Sequence, residues 1–220
     1  MGVLLMLMTI GGLGAAFILL VISFWKSWSW LRSFVLLSTA IWFVFYGVIL
    51  FGMSFLSEER TLSLNEPKNY CGFYLDCHMH TAVTGVRKAK TLGDKEARGE
   101  FYIVSIRVFS DAKRASLGLA DVDARVRDAA GNEFVRDPEA EANLSGQPPF
   151  DRRISPTESF VKEIVFDLPS DISGPRLDIR EGNRIDRAIE SVLIGDEDSL
   201  WHKRNYFKLE GGESFAKTDR

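Results

Sequence analysis

Apolar and polar positions are unevenly spread along this chain. Met1 to Trp25 is a run of 25 residues without a formal side-chain charge, and Ser33 to Ser57 is a second run of 25. At a rise of ~1.5 Å per residue each extends ~37 Å as a helix, enough to cross a ~30 Å hydrocarbon core with some tilt. The pattern predicts two transmembrane helices, about 3–25 and 33–56. The connector Lys26 to Arg32 (KSWSWLR) is only seven residues long, so the helices run antiparallel as a hairpin. Trp25, Trp28 and Trp30 cluster there as interface anchors, where indole rings favour the headgroup level. A cleaved signal peptide fits less well, because the first run opens without Lys or Arg and exceeds a usual h-region. Gly11 with Ala15, and Gly12 with Ala16, have the small-xxx-small spacing that lets helix backbones approach. Packing within the hairpin, against Ser38, Gly47 or Gly52, is the expected use; a dimer or partner contact is the other. No acid, Lys, Arg or His lies inside either run. A proton relay or ion path would need one, so the hairpin is read as an anchor.

Beyond the hairpin the pattern changes. Residues 57–70 are polar, with Pro67 near their end, and read as a linker. Residues 71–210 look all-β. Tyr102, Val104, Ile106 and Val108 recur every second residue, with Phe101, Ile103 and Phe109 on the opposite face, as in a central strand apolar on both sides. Val122, Ala124 and Val126 alternate with charged residues, so one face is buried and one wet. Asp128-Ala129-Ala130-Gly131-Asn132 predicts a turn with Gly131 at positive φ, followed by a return strand from Glu133. Residues 136–157 contain Pro138, Pro148, Pro149 and Pro156 and read as a long connection. Phe160 to Leu168, a short strand around Leu177 and Ile179, and Tyr206 to Leu209 complete the set. Helical periodicity is weak except around Ile185 to Val192. Several short strands separated by turn signals predict a sandwich. Residues 211–220 read as a flexible tail.

Charge sharpens this division. The chain has 27 Lys and Arg against 30 Asp and Glu, a net of −3. Only Lys26 and Arg32 fall before residue 57, leaving 25 basic and 30 acidic residues and a net of −5 for the remainder. A wholly soluble protein is excluded, as is a nucleic-acid binder, since no basic stripe remains. The loop carries Lys26 and Arg32 in seven residues, whereas 57–70 carries Arg60 and Lys68 in fourteen. Positive-inside logic then puts the loop in the cytoplasm and the C-terminal domain outside. The expected location is the cytoplasmic membrane, multi-pass, with the lipid bilayer and an unidentified envelope or membrane protein as partners.

The strand YIVSIRVFS, the strand-turn-strand VRDAAGNEF, the segment SPTESFVKEIVFDLP and the terminal IGDEDSLWHKRNYFKLE carry a resemblance. Over Phe101 to Leu209, about half the chain, it is similar to a bacterial extracytoplasmic immunoglobulin-like domain family of unknown function. Members sit outside the membrane on lipoproteins or anchored proteins. The resemblance implies an immunoglobulin-like β-sandwich acting as a binding or structural module, and no family activity. The Cys…Trp…Cys framework of antibody domains is missing.

The only cysteines, Cys71 and Cys77, lie six apart just beyond the hairpin. In an oxidising compartment such a pair forms a disulfide, worth ~2 kcal/mol by chain-entropy arithmetic for a seven-residue loop; in the cytosol it stays reduced. A zinc site of the four-cysteine type lacks its second pair. In Cys77-His78-Met79-His80 a strand places His78 and His80 on one face, a spacing suited to copper or zinc, with Met79 opposite. His202 is the only other histidine, and it becomes a third ligand if the last strand lies beside the first. Exposed histidines on an edge strand are the plainer alternative. Asp196, Glu197 and Asp198 form an acidic turn without EF-hand spacing, near Lys203 and Arg204, and a salt-bridged loop accounts for them better than calcium. Trp201 beside this turn reads as a core or rim aromatic. Asn143-Leu144-Ser145 is a formal glycosylation sequon and marks an exposed loop. No G-x-S-x-G, G-x-x-x-x-G-K or H-E-x-x-H occurs. The expectation is a non-enzymatic binding or envelope-assembly module without a cofactor, with periplasmic metal binding through His78, His80 and His202 as the alternative.

Overall fold

A computed structural model describes residues 2–70 and 77–209. Two compact units emerge: residues 1–58 with 185–204, and residues 59–184 with 205–220. The first contains α1 (Gly2–Trp25) and α2 (Ser29–Leu56), joined by a tight turn in which Ser27 takes φ 57°. α2 starts four residues earlier than its uncharged run because Ser29 to Arg32 already adopts helical geometry, with the Arg32 N–H donating to the carbonyl of the N-cap residue Trp28. Both helices are long and apolar enough to cross a membrane. Most of their large apolar side chains point away from the unit, Phe17, Phe34 and Val44 among them. One polar tie joins the pair: Trp42 Nε1 donates to Thr9 Oγ1 (3.0 Å), whose hydroxyl donates back to the Leu5 carbonyl.

The small residues play a different part from the expected one. A Cβ built at Gly11, Gly12, Gly14, Gly47 or Gly52 meets nothing within 4 Å. Close backbone approach is therefore not what they serve. Gly12, Ala15, Ala16, Ser38 and Thr39 instead line an apolar groove of about 360 Å³ between the helices.

The second unit is a β-sandwich of nine strands among the described residues. A four-stranded sheet has the order β2 (Lys68–Tyr70), β3 (Met79–Leu92), β4 (Lys95–Ser110), β7 (Ser159–Leu168). A five-stranded sheet has the order β1 (Arg60–Leu62), β9 (Asn205–Lys208), β8 (Arg176–Arg180), β5 (Asp123–Arg127), β6 (Glu133–Val135). Residues 57–70, expected as a linker, supply one strand to each sheet. The polar stretch is short of apolar residues, yet Leu62 and Tyr70 are enough to seat β1 and β2 in the core. The pair β1–β9 is parallel; all other pairings are antiparallel.

Alternation builds the core. Val104, Ile106 and Val108 of β4 and Ile164 and Phe166 of β7 meet Val126, Leu177, Ile179 and Phe207 of the other sheet, all fully buried. Burying such a side chain contributes about 1.5–3 kcal/mol. The opposite face of β4 is apolar for a second reason. Phe101 and Ile103, with Val165 of β7, form a separate cluster closed by Ala140 of α3 (Pro138–Glu141). The proline-containing connection is thus a cover for that face, pinned where Asp137 caps α3 by accepting the Ala140 N–H (2.9 Å).

Candidate functional site

The histidine motif sits where β2, β3 and β4 run side by side. In register, His80 lies between Asn69 of β2 and Phe109 of β4, and the Asp111 N–H donates to the His78 carbonyl, extending the β3–β4 pairing by one step. Period-two geometry therefore puts His78, His80, Asn69, Phe109 and Asp111 on one outer face. Met79 points the other way into the core, as its position predicts.

Asp111 organises the group, and no sequence pattern marked it. His78 Nδ1–H donates to Asp111 Oδ1 at 2.7 Å, and His80 Nε2–H meets the same oxygen at 3.3 Å. The imidazoles of His78 and then His80 hold the Asp111 carboxyl below the usual carboxylate range. His80 is largely buried, its ring stacked on Phe109 with centroids 5.0 Å apart, and Arg107 covers the same Phe109 ring at 4.9 Å. His80 Nδ1 faces Asn69 Oδ1 at 2.8 Å. The cluster is a carboxylate holding two imidazoles, one exposed and one packed in place.

The third expected ligand, His202, lies in the other unit. The last strand does lie beside the first, since β9 pairs with β1, but both belong to the five-stranded sheet, whereas β3 carries His80 in the other. His202 precedes β9 and belongs to the helical unit, where its Nδ1–H donates to the Lys203 carbonyl at 2.8 Å. The Cys71–Cys77 pairing involves Cys71, which lies outside the described residues. Trp25, Trp28 and Trp30 are exposed around the α1–α2 turn, where Ser23 Oγ donates to the Trp28 carbonyl and Arg32 lies over the Phe24 ring.

The acidic turn closes differently from its sequence. Asp196 and Asp198 are joined by Glu190 from α4 (Arg184–Glu190), their carboxylate oxygens within 4.8 Å of one another. Arg204 neutralises Asp198 at 2.5 Å, as the salt-bridged loop predicts, and the Asp198 N–H donates to Asp196 Oδ1. Burial pushes the Asp196 carboxyl up to about 6, with Asp198 and Glu197 adding repulsion. Glu190 was hidden because five residues separate it from Asp196 in sequence, a gap that the end of a helix then folds back.

No family model matches the chain, and no curated protein matches it. Solved structures do. The yjhA protein from Bacillus subtilis is similar at 12% identity, over 67% of this chain and 98% of that one, with a TM-score of 0.41. MPT63, a secreted protein from Mycobacterium tuberculosis, is similar at 11% identity over 59% and 93%, with a TM-score of 0.40. An uncharacterized β-sandwich protein from Clostridium difficile is similar at 11% identity over 70% and 97%, with a TM-score of 0.38.

Proposed function

We propose that this protein is a membrane-anchored module that holds an immunoglobulin-like sandwich outside the cytoplasmic membrane and works by binding, without catalysis, in an envelope assembly. One observation carries the anchor: α1 and α2 turn most of their large apolar side chains outward, an area that water would not tolerate and lipid would. The sandwich interior is closed by its own strands, and its charged surface groups are largely engaged with one another. Arg125 and Arg127 share Glu133, and Lys95 holds Asp137 and Glu139. Such a surface suits recognition through loops and sheet edges.

Fractionation tests the anchor. The full chain is expected to stay with membranes through high salt and alkaline carbonate and to enter solution only with detergent. Release by carbonate alone overturns it. Orientation is tested by thiol labelling of Cys71 and Cys77 after mild reduction of intact cells. Labelling only after lysis puts the sandwich in the cytoplasm. Cross-linking in native membranes, with identification of what is joined to the sandwich, tests assembly; recovery of the chain alone under all conditions counts against it.

The alternative is metal binding through His78 and His80, which one face at the start of β3 presents together with Asp111. Metal analysis of the full chain after equilibration with zinc or copper is expected to find one ion per chain. The paired change His78→Ala and His80→Ala is expected to remove it, and unchanged binding in that variant sinks this reading.

A further inference from the structure

The sandwich contains an excursion that its sheets do not require. β8 and β9 are antiparallel neighbours, with Arg176 opposite Lys208 and Leu177 opposite Phe207. Such pairs usually close with a loop of two to five residues. Here the chain instead places residues 185–204 in the helical unit before returning to β9.

The excursion is fastened along the last turns of α2. The Tyr46 hydroxyl donates to the Val192 carbonyl (2.7 Å), and the Trp201 indole lies on Phe51 and Phe55 with centroids at 4.8 and 5.8 Å. Ser54 and Ser199 hydroxyls meet at 3.4 Å in a buried contact, and the Lys203 N–H donates to Ser57 Oγ (2.8 Å). On α1, Gly2 lies so near the Ile194 carbonyl that any Cβ there would overlap it. From Tyr46 to Ser57 these contacts follow about 16 Å of helix.

That depth has a consequence for a hairpin in lipid. α2 has 28 residues, roughly 42 Å, so centring it on a ~30 Å hydrocarbon core leaves about 6 Å at each end among headgroups. The excursion then occupies the headgroup layer and the outer acyl region. Its make-up suits that place. Ile185, Val192, Leu200 and Trp201 remain exposed on it. The N–H groups of Val192, Leu193, Asp196, Ser199, Leu200 and His202 donate to carbonyls within the excursion itself, which lowers the cost of carrying them into a poorly hydrated layer. The five acids and three bases of residues 185–204 give a net of −2, so apolar area and the tie to α2, rather than attraction to anionic headgroups, would hold it.

We propose that residues 185–204 form a third membrane-contacting element, seated at the headgroup–acyl boundary with Trp201 as its anchor. This rests on the hairpin being embedded in lipid, and the test separates the two. A chain with Trp201 as its only tryptophan (Trp25, Trp28, Trp30 and Trp42 each changed to Phe) is reconstituted in phosphatidylcholine vesicles with bromines at shallow or deep acyl positions. A second chain keeps only Trp42, in the middle of α2. Trp201 is expected to lose at least half its emission to shallow bromines and much less to deep ones, with no change when anionic lipid is added. Trp42 quenched by deep bromines while Trp201 responds to none overturns the third element and keeps the hairpin. Neither tryptophan quenched overturns both. The unmodified chain provides a measurement free of folding effects. A photoactivatable lipid with a shallow reactive group is expected to label peptides within 185–204 alongside those of α1 and α2. Labelling of the helices alone counts against the proposal.

Discussion

The ammonium of Lys68 lies 3.7 Å from Oδ1 of Asp178, with only 4% and 5% of the two side chains exposed. Lys68 is on β2 and Asp178 on β8, so this buried pair ties one sheet of the sandwich to the other. Lys68 also donates to the carbonyls of Ile179 (2.9 Å) and Asn205 (3.3 Å), while Arg180 takes the second oxygen of Asp178 at 2.7 Å. Removing one partner of a buried pair leaves a charge in low dielectric, which typically costs about 3–5 kcal/mol. Lys68→Met is expected to cost about 3 kcal/mol, the low end, because Arg180 still faces the carboxylate. Adding Asp178→Asn to that chain is expected to recover part of the loss. Denaturant unfolding of the full chain in detergent, followed by near-ultraviolet circular dichroism, measures both. A cost below about 1 kcal/mol for Lys68→Met means the pair is better hydrated than its burial indicates.

Acid should loosen the histidine cluster. The Asp111 carboxyl is held below its ordinary value by His78 and His80, so its contribution is present above that ordinary value. It is lost as pH falls through the lowered folded value. Asp111→Asn is expected to remove this acid dependence and to lower stability at neutral pH modestly, toward the level the unmodified chain has in acid. Titration of the Asp111 carboxyl by NMR in labelled protein gives the direct check; an unshifted midpoint contradicts the geometry.

Asp196 should act with the opposite sign. Its folded value of about 6 stands above the ordinary 3.8, so the folded unit holds a proton that the unfolded chain has released. Stability is therefore greatest below about pH 4 and declines between about 4 and 6, by a total of about 3 kcal/mol. Asp196→Asn keeps the oxygen that accepts the Asp198 N–H and cannot ionise. The variant is expected to melt higher than the unmodified chain at pH 7–8 and to match it near pH 4. Equal melting at both pH values removes the buried-carboxyl account.

Gly99 should tolerate no side chain. It stands in β4 just before the pairing with β7 begins at Glu100, where an added Cβ would overlap the Leu168 carbonyl and press on Pro169. The Arg98 and Gly99 N–H groups both donate to the Asp167 carboxylate, at 3.0 and 3.1 Å, which fixes the backbone there. Gly99→Ala must either break that grip or shift the β4–β7 register. A cost of about 2 kcal/mol or more is expected. Gly131→Ala provides the contrast: it stands at φ 87° but faces open space, so it pays only the left-handed backbone cost of about 1 kcal/mol.

Local pattern was enough for much of this molecule. Two uncharged runs of 25 residues leave a helix as the one way to satisfy their backbone in an apolar setting, and α1 and α2 follow them closely. Alternation located β4, β5, β7 and β8, because a strand with a buried face must repeat every second residue. The same rule placed His78 and His80 together. Asp111, thirty-one residues beyond His80, was not legible, since only the β3–β4 register brings it opposite His78. Nor were β1 and β2, whose few apolar residues become strands by pairing with neighbours already in place.

The excursion marks the boundary most clearly. Weak helical periodicity from Ile185 to Val192 was visible along the chain, and so was the acidic turn after Gly195. That these residues leave the sandwich for α1 and α2 was decided by contacts to Tyr46, Phe51 and Ser54, more than 130 positions earlier. Sequence by itself determined the two long helices, the strands with alternating apolar residues and where charge stops. Tertiary structure alone decided which distant side chains meet, because periodicity reports the face a residue presents and says nothing of what the rest of the chain brings to that face.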